Sequence, residues 1–311
     1  KKKIVPHSSG KDDEDQLSIS RELISTAIPV SVGMMVSSIM SLIDSAIVPA
    51  RLLAAGFSER TATELYGQLT GKAHVLINVP LTFSMALSTS LVPAMSEVKA
   101  LRNINKIKTR TQSAVRVSML LGLPSAAGLL VLSDPILRLL FPGQSGGAEV
   151  LRILSISVIF IVLSQTLVGI LQGVGNVKAP VKNLMIGALF KFVFVYILTS
   201  MPFLNIKGAA ISSVIGYGGA ALLNLKDVVK FAYFDIDIDK IFFRPAASAV
   251  IMGFAVYFIY GRLISVCKSN GISTIVSVIA GIIVYMSMLI LSGTLSLKEL
   301  AFIKPLRKRR L

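Results

Sequence analysis

Eight stretches of at least 17 residues carry no more than one charged side chain each. A membrane core about 30 Å thick requires roughly 20 apolar residues in a helix that rises about 1.5 Å per residue. The two shortest stretches can reach this thickness if the arginines beside them extend to the membrane surface. The sequence therefore predicts an all-α integral membrane protein with about eight transmembrane helices. The eight stretches are Leu23–Pro49, Ala73–Ser96, Val117–Ser133, Ile153–Val177, Asn183–Ile206, Gly208–Leu225, Pro245–Gly261 and Ser269–Leu297.

Composition argues against several other classes of protein. Charged residues make up 15% of the chain, against about 25% in a soluble domain. The single cysteine, Cys267, excludes an internal disulfide, and two histidines are too few for a Cys/His zinc site. Neither a Walker A run nor an H-E-x-x-H motif is present. We therefore expect no enzyme activity, no catalytic residue, no cofactor and no bound metal.

The distribution of basic residues predicts how the chain is oriented in the membrane. With eight spans, both ends of the chain lie on the same side. Alternate connecting segments contain 23 lysines and arginines on that side and 8 on the other. Because cytoplasmic loops of membrane proteins are enriched in basic residues, both ends are predicted to be cytoplasmic. The net charge of +16 is then explained by these loops, and no nucleic-acid partner is expected.

The two ends of the chain are polar. Residues 1–22 carry both signs of charge and no apolar stretch, which is typical of a solvated cytoplasmic linker. We expect the sequence to begin at a loop inside a longer protein. Residues 298–311 contain the run KPLRKRR, which predicts a basic cytoplasmic tail that contacts anionic lipid.

Asp44 is the only charged residue in the first predicted span, five residues before Pro49. This places it about 8 Å from the outer end of the stretch. A carboxylate at that depth needs a partner or a wet cavity, so Asp44 is our candidate for a coupling site for Na⁺ or H⁺. Arg51 follows two turns later on roughly the same face and is a candidate for a substrate cavity. The structural alternative for Asp44 is a hydrogen bond to a neighbouring helix.

Lys191 is the only charged residue in the fifth predicted span, eight residues after Asn183. It should lie about 12 Å from the cytoplasmic end, too deep to reach the surface easily. We predict that it lines the substrate cavity and attracts an anionic group. The alternative is a polar contact within the bundle. Because Asp44 and Lys191 enter from opposite sides, we do not expect a direct ion pair between them.

Three acidic residues, Asp235, Asp237 and Asp239, alternate with isoleucines in a segment between two predicted spans. Such a pattern can hold a divalent metal in enzymes that use nucleotide sugars. Here the segment is short and flanked by aromatic residues, which is typical of a cytoplasmic linker at the membrane surface. A membrane glycosyltransferase therefore stays a secondary hypothesis.

Four stretches of the sequence resemble the polysaccharide-transporter and flippase branch of the MATE-like (MOP) superfamily, including its stage V sporulation protein B group. They occur in the order and spacing of the second half of these proteins. The first is AIPVSVGMMVSSIMSLIDSAIVPARL. The four stretches are Ala27–Leu52, Ala62–Glu97, Ile170–Lys191 and Ile206–Tyr217.

This resemblance implies a fold and a function. Such proteins have two six-helix lobes around a central cavity, followed by two more helices. Residues 23–229 would then be the six-helix second lobe, and residues 230–297 the two additional helices. The implied function is the translocation of a lipid-linked oligosaccharide or polysaccharide precursor across a bacterial cell membrane, for cell-wall, spore-cortex or surface-polysaccharide assembly.

The resemblance also implies the partners of the chain and leaves alternatives open. The partners are an anionic lipid-linked sugar, the lipid bilayer and the first lobe of the same protein. Alternating access between two lobes requires both of them, so the chain by itself is expected to be inactive. The alternatives are an exporter of drugs or metabolites driven by Na⁺ or H⁺, and a scaffold for wall synthesis that transports nothing.

Overall fold

A computed structural model describes residues 40–232 and 237–294, and the regular structure in these ranges is helical. The first helix, α1, is described over residues 40–54. The elements after it are α2 (Glu59–Gly67), a π-helical segment (Gln68–Ala73), α3 (His74–Ala100), α4 (Ile104–Val131), α5 (Ser133–Leu140), α6 (Ala148–Gly173), α7 (Lys178–Leu198), α8 (Ile206–Phe231), a π-helical turn (Asp239–Phe243), α9 (Arg244–Cys267) and α10 (Asn270–Leu291).

Seven helical runs in the described residues are long and apolar enough to cross a membrane. They correspond to the second to eighth predicted stretches, so the prediction of an all-helical membrane protein is confirmed. Most of the first predicted stretch lies outside the described residues, which contain its end as part of α1. The predicted linker at 1–22 and the predicted tail at 298–311 also lie outside them.

Two of the helical runs begin well before the charge-poor stretches that predicted them. The run from α2 through the π-helical segment to α3 is continuous over 42 residues, whereas the predicted stretch begins only at Ala73. Helix α4 begins at Ile104, thirteen residues before the predicted Val117. Charged side chains near a helix end can reach water without breaking the helix, so a search for uncharged residues misses the beginning of both runs.

Close packing through small residues determines how α7 lies against α8. A Cβ atom added at Gly187 on α7 would lie 2.6 Å from the carbonyl oxygen of Gly216 on α8. Only glycine permits this approach, which is typical of helix pairs in membranes. A Cβ added at Gly216 would lie 2.8 Å from the Cβ of Lys191. The same contact therefore presses the base of the Lys191 side chain against α8.

The other helices complete the bundle around α6, whose span is the most buried of the seven, at 61%. Helices α3, α4 and α8 surround it, and α9 and α10 pack on each other and against α4. The amide of Asn270 on α10 donates to the carbonyl oxygen of Pro135 on the short helix α5 (3.1 Å). This contact ties the α9–α10 pair to the rest of the described bundle.

Candidate functional site

Asp44 and Lys191 form an ion pair in the interior of the bundle. The Lys191 Nζ lies 2.6 Å from Asp44 Oδ2 and also donates to the carbonyl oxygen of Met40 at 3.2 Å. Each of the two charged residues is only 1% exposed. The expectation that these side chains do not pair is therefore wrong. The structure satisfies both charges with each other.

The error in that expectation comes from where the two helices end. Helix α1 continues past Pro49 to residue 54, so Asp44 lies about 15 Å from its end. Helix α7 begins at Lys178 and ends at Leu198, so Lys191 lies about 10 Å from the end of α7. In the predicted topology this end lies on the same side of the membrane as the end of α1. The two Cα atoms then differ in depth by only about 5 Å, within reach of a lysine side chain.

The pair is enclosed by helices on several sides. The Lys191 Nζ lies 6.0 Å from the ring centroid of Tyr217 on α8, a distance at which an aromatic face attracts a cation. Apolar residues of α1 and α7, Met40 and Ala188, are buried next to this ring. The pair therefore lies in a largely apolar setting, where an unpaired charge would be costly.

Two polar atoms around the pair lack a hydrogen-bond partner among the described residues. They are Asp44 Oδ1 and the Nε2 atom of His74, and both are buried. His74 is the first residue of α3, directly after the π-helical segment, and it lies within electrostatic range of Asp44 and Lys191. Local π-helical geometry often occurs at functional positions. The surroundings of the ion pair therefore contain two further buried polar atoms that could accept or donate a hydrogen bond.

Arg51 lies further along the same side of α1 and does not join the ion pair. Its guanidinium carbon is 4.2 Å from the ring centroid of Tyr196 on α7. Its Nε atom is buried and has no hydrogen-bond partner in the described part of the chain. Asp44 and Arg51 thus both face α7, one against Lys191 and the other against Tyr196. Of the three predicted site residues, Arg51 retains a charge that no described carboxylate neutralises.

A groove of about 290 Å³ adjoins the pair at Tyr217 and runs between α3, α6 and α7. Its polar side chains are hydroxyls and amides, and the residues that line it carry no charge. Recognition of an anion by this groove would need a basic group from elsewhere. The lining residues are Leu81, Met85, Ser88, Thr89, Ile161, Ser164, Gln165, Val168, Gln172, Pro180, Val181, Leu184 and Tyr217.

A buried amide network at the other end of α7 was not predicted from the sequence. Asn183 Nδ2 donates to Asn224 Oδ1 (3.0 Å) and to Asp227 Oδ2 (2.7 Å), and Asn224 Nδ2 donates to Ser164 Oγ (3.0 Å). The network joins α6, α7 and α8. A search for charges inside spans passes over neutral amides. The available signal was the Asn224–Asp227 spacing, which places both polar groups on one face of α8.

The described acidic residues between α8 and α9 have basic partners. Asp237 pairs with Lys240 at 3.2 Å, and Asp239 pairs with Arg244 at 2.8 Å. The backbone N–H of Lys240, then its ammonium group, hold the pKa of Asp237 below its usual value. Asp235 lies outside the described residues. This arrangement is typical of a surface linker.

A G-x-S-x-G pattern at residues 143–147 does not have the setting of a hydrolase nucleophile. In hydrolases this serine lies on a turn from a strand into a helix, whereas here the pattern lies in the loop from α5 to α6. The ammonium of Lys72 donates to the carbonyl oxygens of Gln144 and Gly146 in this loop. The pattern therefore supports no catalytic assignment.

Comparisons with known proteins agree with the fold and with the resemblance stated above. The chain is 30% identical over 233 residues to stage V sporulation protein B of Bacillus subtilis, covering 75% of this chain and 45% of that protein. It is 25% identical over 269 residues to lipid II flippase MurJ of the same organism, covering 83% and 48% respectively. The chain therefore spans about half the length of these curated relatives.

Solved structures show the same fold at lower sequence identity. A lipid II flippase MurJ in an inward closed conformation matches with a TM-score of 0.65 and 19% identity, over 84% of this chain and 52% of that one. An outward-facing MATE multidrug resistance transporter of the MOP superfamily matches with a TM-score of 0.53 and 18% identity, over 86% and 64%. The family model described as "Lipid II flippase MurJ" matches residues 17–303. Because this match covers most of the sequence, the chain belongs to the MurJ lipid II flippase family, as a multi-pass membrane protein.

Proposed function

We propose that this chain is one lobe of a flippase that moves a lipid-linked anionic sugar precursor across the cell membrane. The family match over residues 17–303 carries the proposal. The precursor would serve cell-wall, spore-cortex or surface-polysaccharide assembly, which fits the likeness to a sporulation protein. The activity is transport and not enzyme catalysis, because members of this family are flippases.

The chemistry of such a cargo sets two requirements. Its anionic head group cannot cross hydrocarbon unaided, so it needs a polar, cationic cavity. Its lipid tail needs an opening to the bilayer. Transporters of related design meet both requirements by rocking two lobes about a central site. We therefore propose that the chain works with a first lobe of the same protein, and that the isolated chain does not transport.

Arg51 is the basic residue that we assign to the cavity. It lacks a described carboxylate partner, and its guanidinium group stacks on Tyr196, a residue of α7 that is half exposed. Lys191 could contact a substrate anion only if its pair with Asp44 separates. Asp44 could bind a coupling ion only under the same condition. The geometry therefore favours Arg51 over Lys191 as the residue that contacts the head group.

The proposed orientation places both ends of this chain on the cytoplasmic side. The charge count of the connecting segments supports it. Single cysteines introduced at Asn103 and at Leu311, in a Cys267→Ser background, can be labelled with an impermeant maleimide in intact cells and in permeabilised cells. We expect both to react only after permeabilisation. Labelling of one site alone in intact cells would contradict eight spans.

A reconstitution assay tests the function. The whole protein, with both lobes, is placed in liposomes that contain a fluorescent lipid-linked oligosaccharide pyrophosphate, and dithionite reports how much of the lipid reaches the outer leaflet. We expect flipping by the whole protein, none by the isolated chain and a loss of at least tenfold in Arg51→Ala. The control is Arg60→Ala, since Arg60 is exposed and paired with Glu64. Transport by the isolated chain, or normal transport by Arg51→Ala, would contradict the proposal.

An exporter of cationic compounds is the second candidate, favoured by the fold of the MATE transporters. In that case Asp44 would exchange a coupling ion. The buried ammonium on Asp44 Oδ2 argues against this role in the conformation described. Efflux of cationic dyes from the same liposomes under a Na⁺ or proton gradient separates the two functions, because a flippase for anionic lipids should leave the dye distribution unchanged.

A further inference from the structure

We infer that the Lys191 ammonium is a built-in cation that takes the place of a free monovalent ion at Asp44. The lobe therefore holds its α1–α7 contact without Na⁺ or K⁺. The inference concerns ion dependence and stands whatever the cargo is. It rests on three observations: the ligands around the ammonium, its burial, and the helices that it joins.

The groups around Lys191 Nζ are those that a small cation would select. They are one carboxylate oxygen, Asp44 Oδ2 at 2.6 Å, one backbone carbonyl oxygen, that of Met40 at 3.2 Å, and the face of Tyr217 at 6.0 Å. Hard cations in proteins take carboxylate and carbonyl oxygens. In transporters, such oxygens from helices bind the coupling ion near the membrane midplane.

The spacing of the oxygen ligands is built into α1. Met40 and Asp44 are four residues apart, so the carbonyl oxygen of one and the carboxylate of the other lie on the same side of the helix. Lys191 approaches from α7, and its base is held against Gly216 of α8. One ammonium group thus connects α1 to α7 beside α8. A free ion bound to the same oxygens would have no covalent link to α7.

Burial distinguishes this role from the roles predicted for the two residues separately. A lysine that attracts substrate must be accessible, whereas Lys191 is 1% exposed. A carboxylate that exchanges ions must have oxygens that an ion can reach, whereas Asp44 Oδ2 already bears an ammonium and Oδ1, although unpartnered, is buried. His74, Tyr66 and Tyr217 are ionisable groups in the described part of the chain that lie within electrostatic range of Asp44. The carboxylate and the ammonium cancel, so this contact needs no further cation.

The test measures how the thermal stability of the chain depends on cations. The chain, purified in lipid nanodiscs, is melted at constant ionic strength in the chlorides of choline, Na⁺, K⁺ and methylammonium. We expect the wild-type midpoint to be the same in all four. Lys191→Ala should melt lower in choline, because Asp44 is then buried without a counter-charge. Na⁺ or methylammonium should raise its midpoint saturably by binding to the vacated oxygens.

Three further variants serve as controls. Lys72→Ala also removes a lysine that donates to backbone carbonyl oxygens, those of Gln144 and Gly146, but leaves no buried carboxylate. Its midpoint should not respond to the identity of the cation. The double variant Asp44→Asn/Lys191→Met removes both charges and should not respond either. Lys191→Arg retains the positive charge and should behave as the wild type does.

The inference is overturned by a wild-type midpoint that rises specifically with Na⁺ or K⁺, or by a Lys191→Ala midpoint that no cation raises. If Lys191→Ala yields no folded protein, the wild-type and double-variant measurements decide. Cation-independent melting of both supports the inference, and a specific Na⁺ response of either one overturns it. Failure of the flipping assay leaves these results unaffected, because none of them depends on transport.

Discussion

The bundle interior and the segment between α8 and α9 each contain an aspartate paired with a lysine, in opposite surroundings. Asp44 and Lys191 are 147 residues apart in sequence, on α1 and α7, and are almost fully buried. Asp237 and Lys240 are three residues apart, and their side chains are 35% and 63% exposed. Water screens the second pair and hardly reaches the first. Loss of one partner should therefore destabilise the fold strongly at the buried pair and hardly at all at the exposed pair.

The largest effect is expected from removing one member of the buried pair. Asp44→Ala leaves the Lys191 ammonium in an apolar setting with one carbonyl oxygen as its remaining hydrogen-bond acceptor. Removal of one partner of a buried pair costs about 3–5 kcal/mol. We therefore expect the melting midpoint in nanodiscs to fall sharply. The midpoint can be followed by the intrinsic tyrosine fluorescence of the chain, which contains no tryptophan, and by the fraction of protein that stays monodisperse after heating.

The exposed pair Arg60–Glu64 provides a matched control for Asp44→Ala. Its side chains are 90% and 61% exposed, and removal of such a pair costs about 0–1 kcal/mol. Glu64→Ala should therefore melt close to the wild type. Equal falls in the melting midpoint of Asp44→Ala and Glu64→Ala would show that burial does not determine how much the loss of an ion pair destabilises the fold.

The second largest effect should come from substitution of Gly216, the glycine against which the base of the Lys191 side chain packs. In Gly216→Ala the new Cβ would lie 2.8 Å from Lys191 Cβ and 2.9 Å from the carbonyl oxygen of Gly187. Two helix backbones must then move apart, and overpacking of this kind costs about 1–3 kcal/mol. Gly128→Ala is the control, since nothing lies within 4 Å of its added Cβ and alanine favours a helix over glycine. A Gly216→Ala protein as stable as Gly128→Ala would refute the close contact.

A smaller effect is expected in the amide network of α6, α7 and α8. Asn224→Leu removes the acceptor of Asn183 and the donor to Ser164, yet Asn183 keeps its 2.7 Å hydrogen bond to Asp227. Hydrogen bonds between helices in membranes contribute about 0.6 kcal/mol on average. We expect a fall in the melting midpoint well below that of Asp44→Ala. A fall as large as that of Asp44→Ala would show that neutral amides matter here as much as charges.

The sequence was most informative about the membrane spans, because the energetic cost of placing charges in hydrocarbon limits which residues can occur there. Exclusion of charges from hydrocarbon produces long uncharged stretches, and seven of the eight predicted spans have their counterparts in the described helices. The same cost made Asp44 and Lys191 conspicuous as the charged residues inside spans. Their burial and their roles as candidates thus followed from one signal, although their functional roles stay predictions.

Pairing could not be predicted because it depends on where helices end and how they pack. Pro49 and Asn183 were taken as span ends, but α1 and α7 run past them, and that shift alone brings the two charges to similar depth. The approach of α7 to α8 depends on Gly187 meeting Gly216, a contact between residues 29 positions apart. Sequence periodicity within one helix carries no information about such a contact.

The smallest effect is expected at Asp237, and it also tests the remaining enzymatic hypothesis. The pKa of Asp237 lies below its usual value, so any stability it contributes is present above the unfolded pKa of about 3.9 and is lost as the pH falls through the lower folded pKa. Because the carboxylate is solvated, Asp237→Asn and the wild type should melt alike at pH 7, and any small difference between their melting midpoints should disappear below pH 4.

A metal site for sugar transfer would behave differently. Mn²⁺ would then raise the wild-type midpoint at pH 7 and leave Asp237→Asn unchanged, whereas the ion pair with Lys240 predicts no response to Mn²⁺ in either protein.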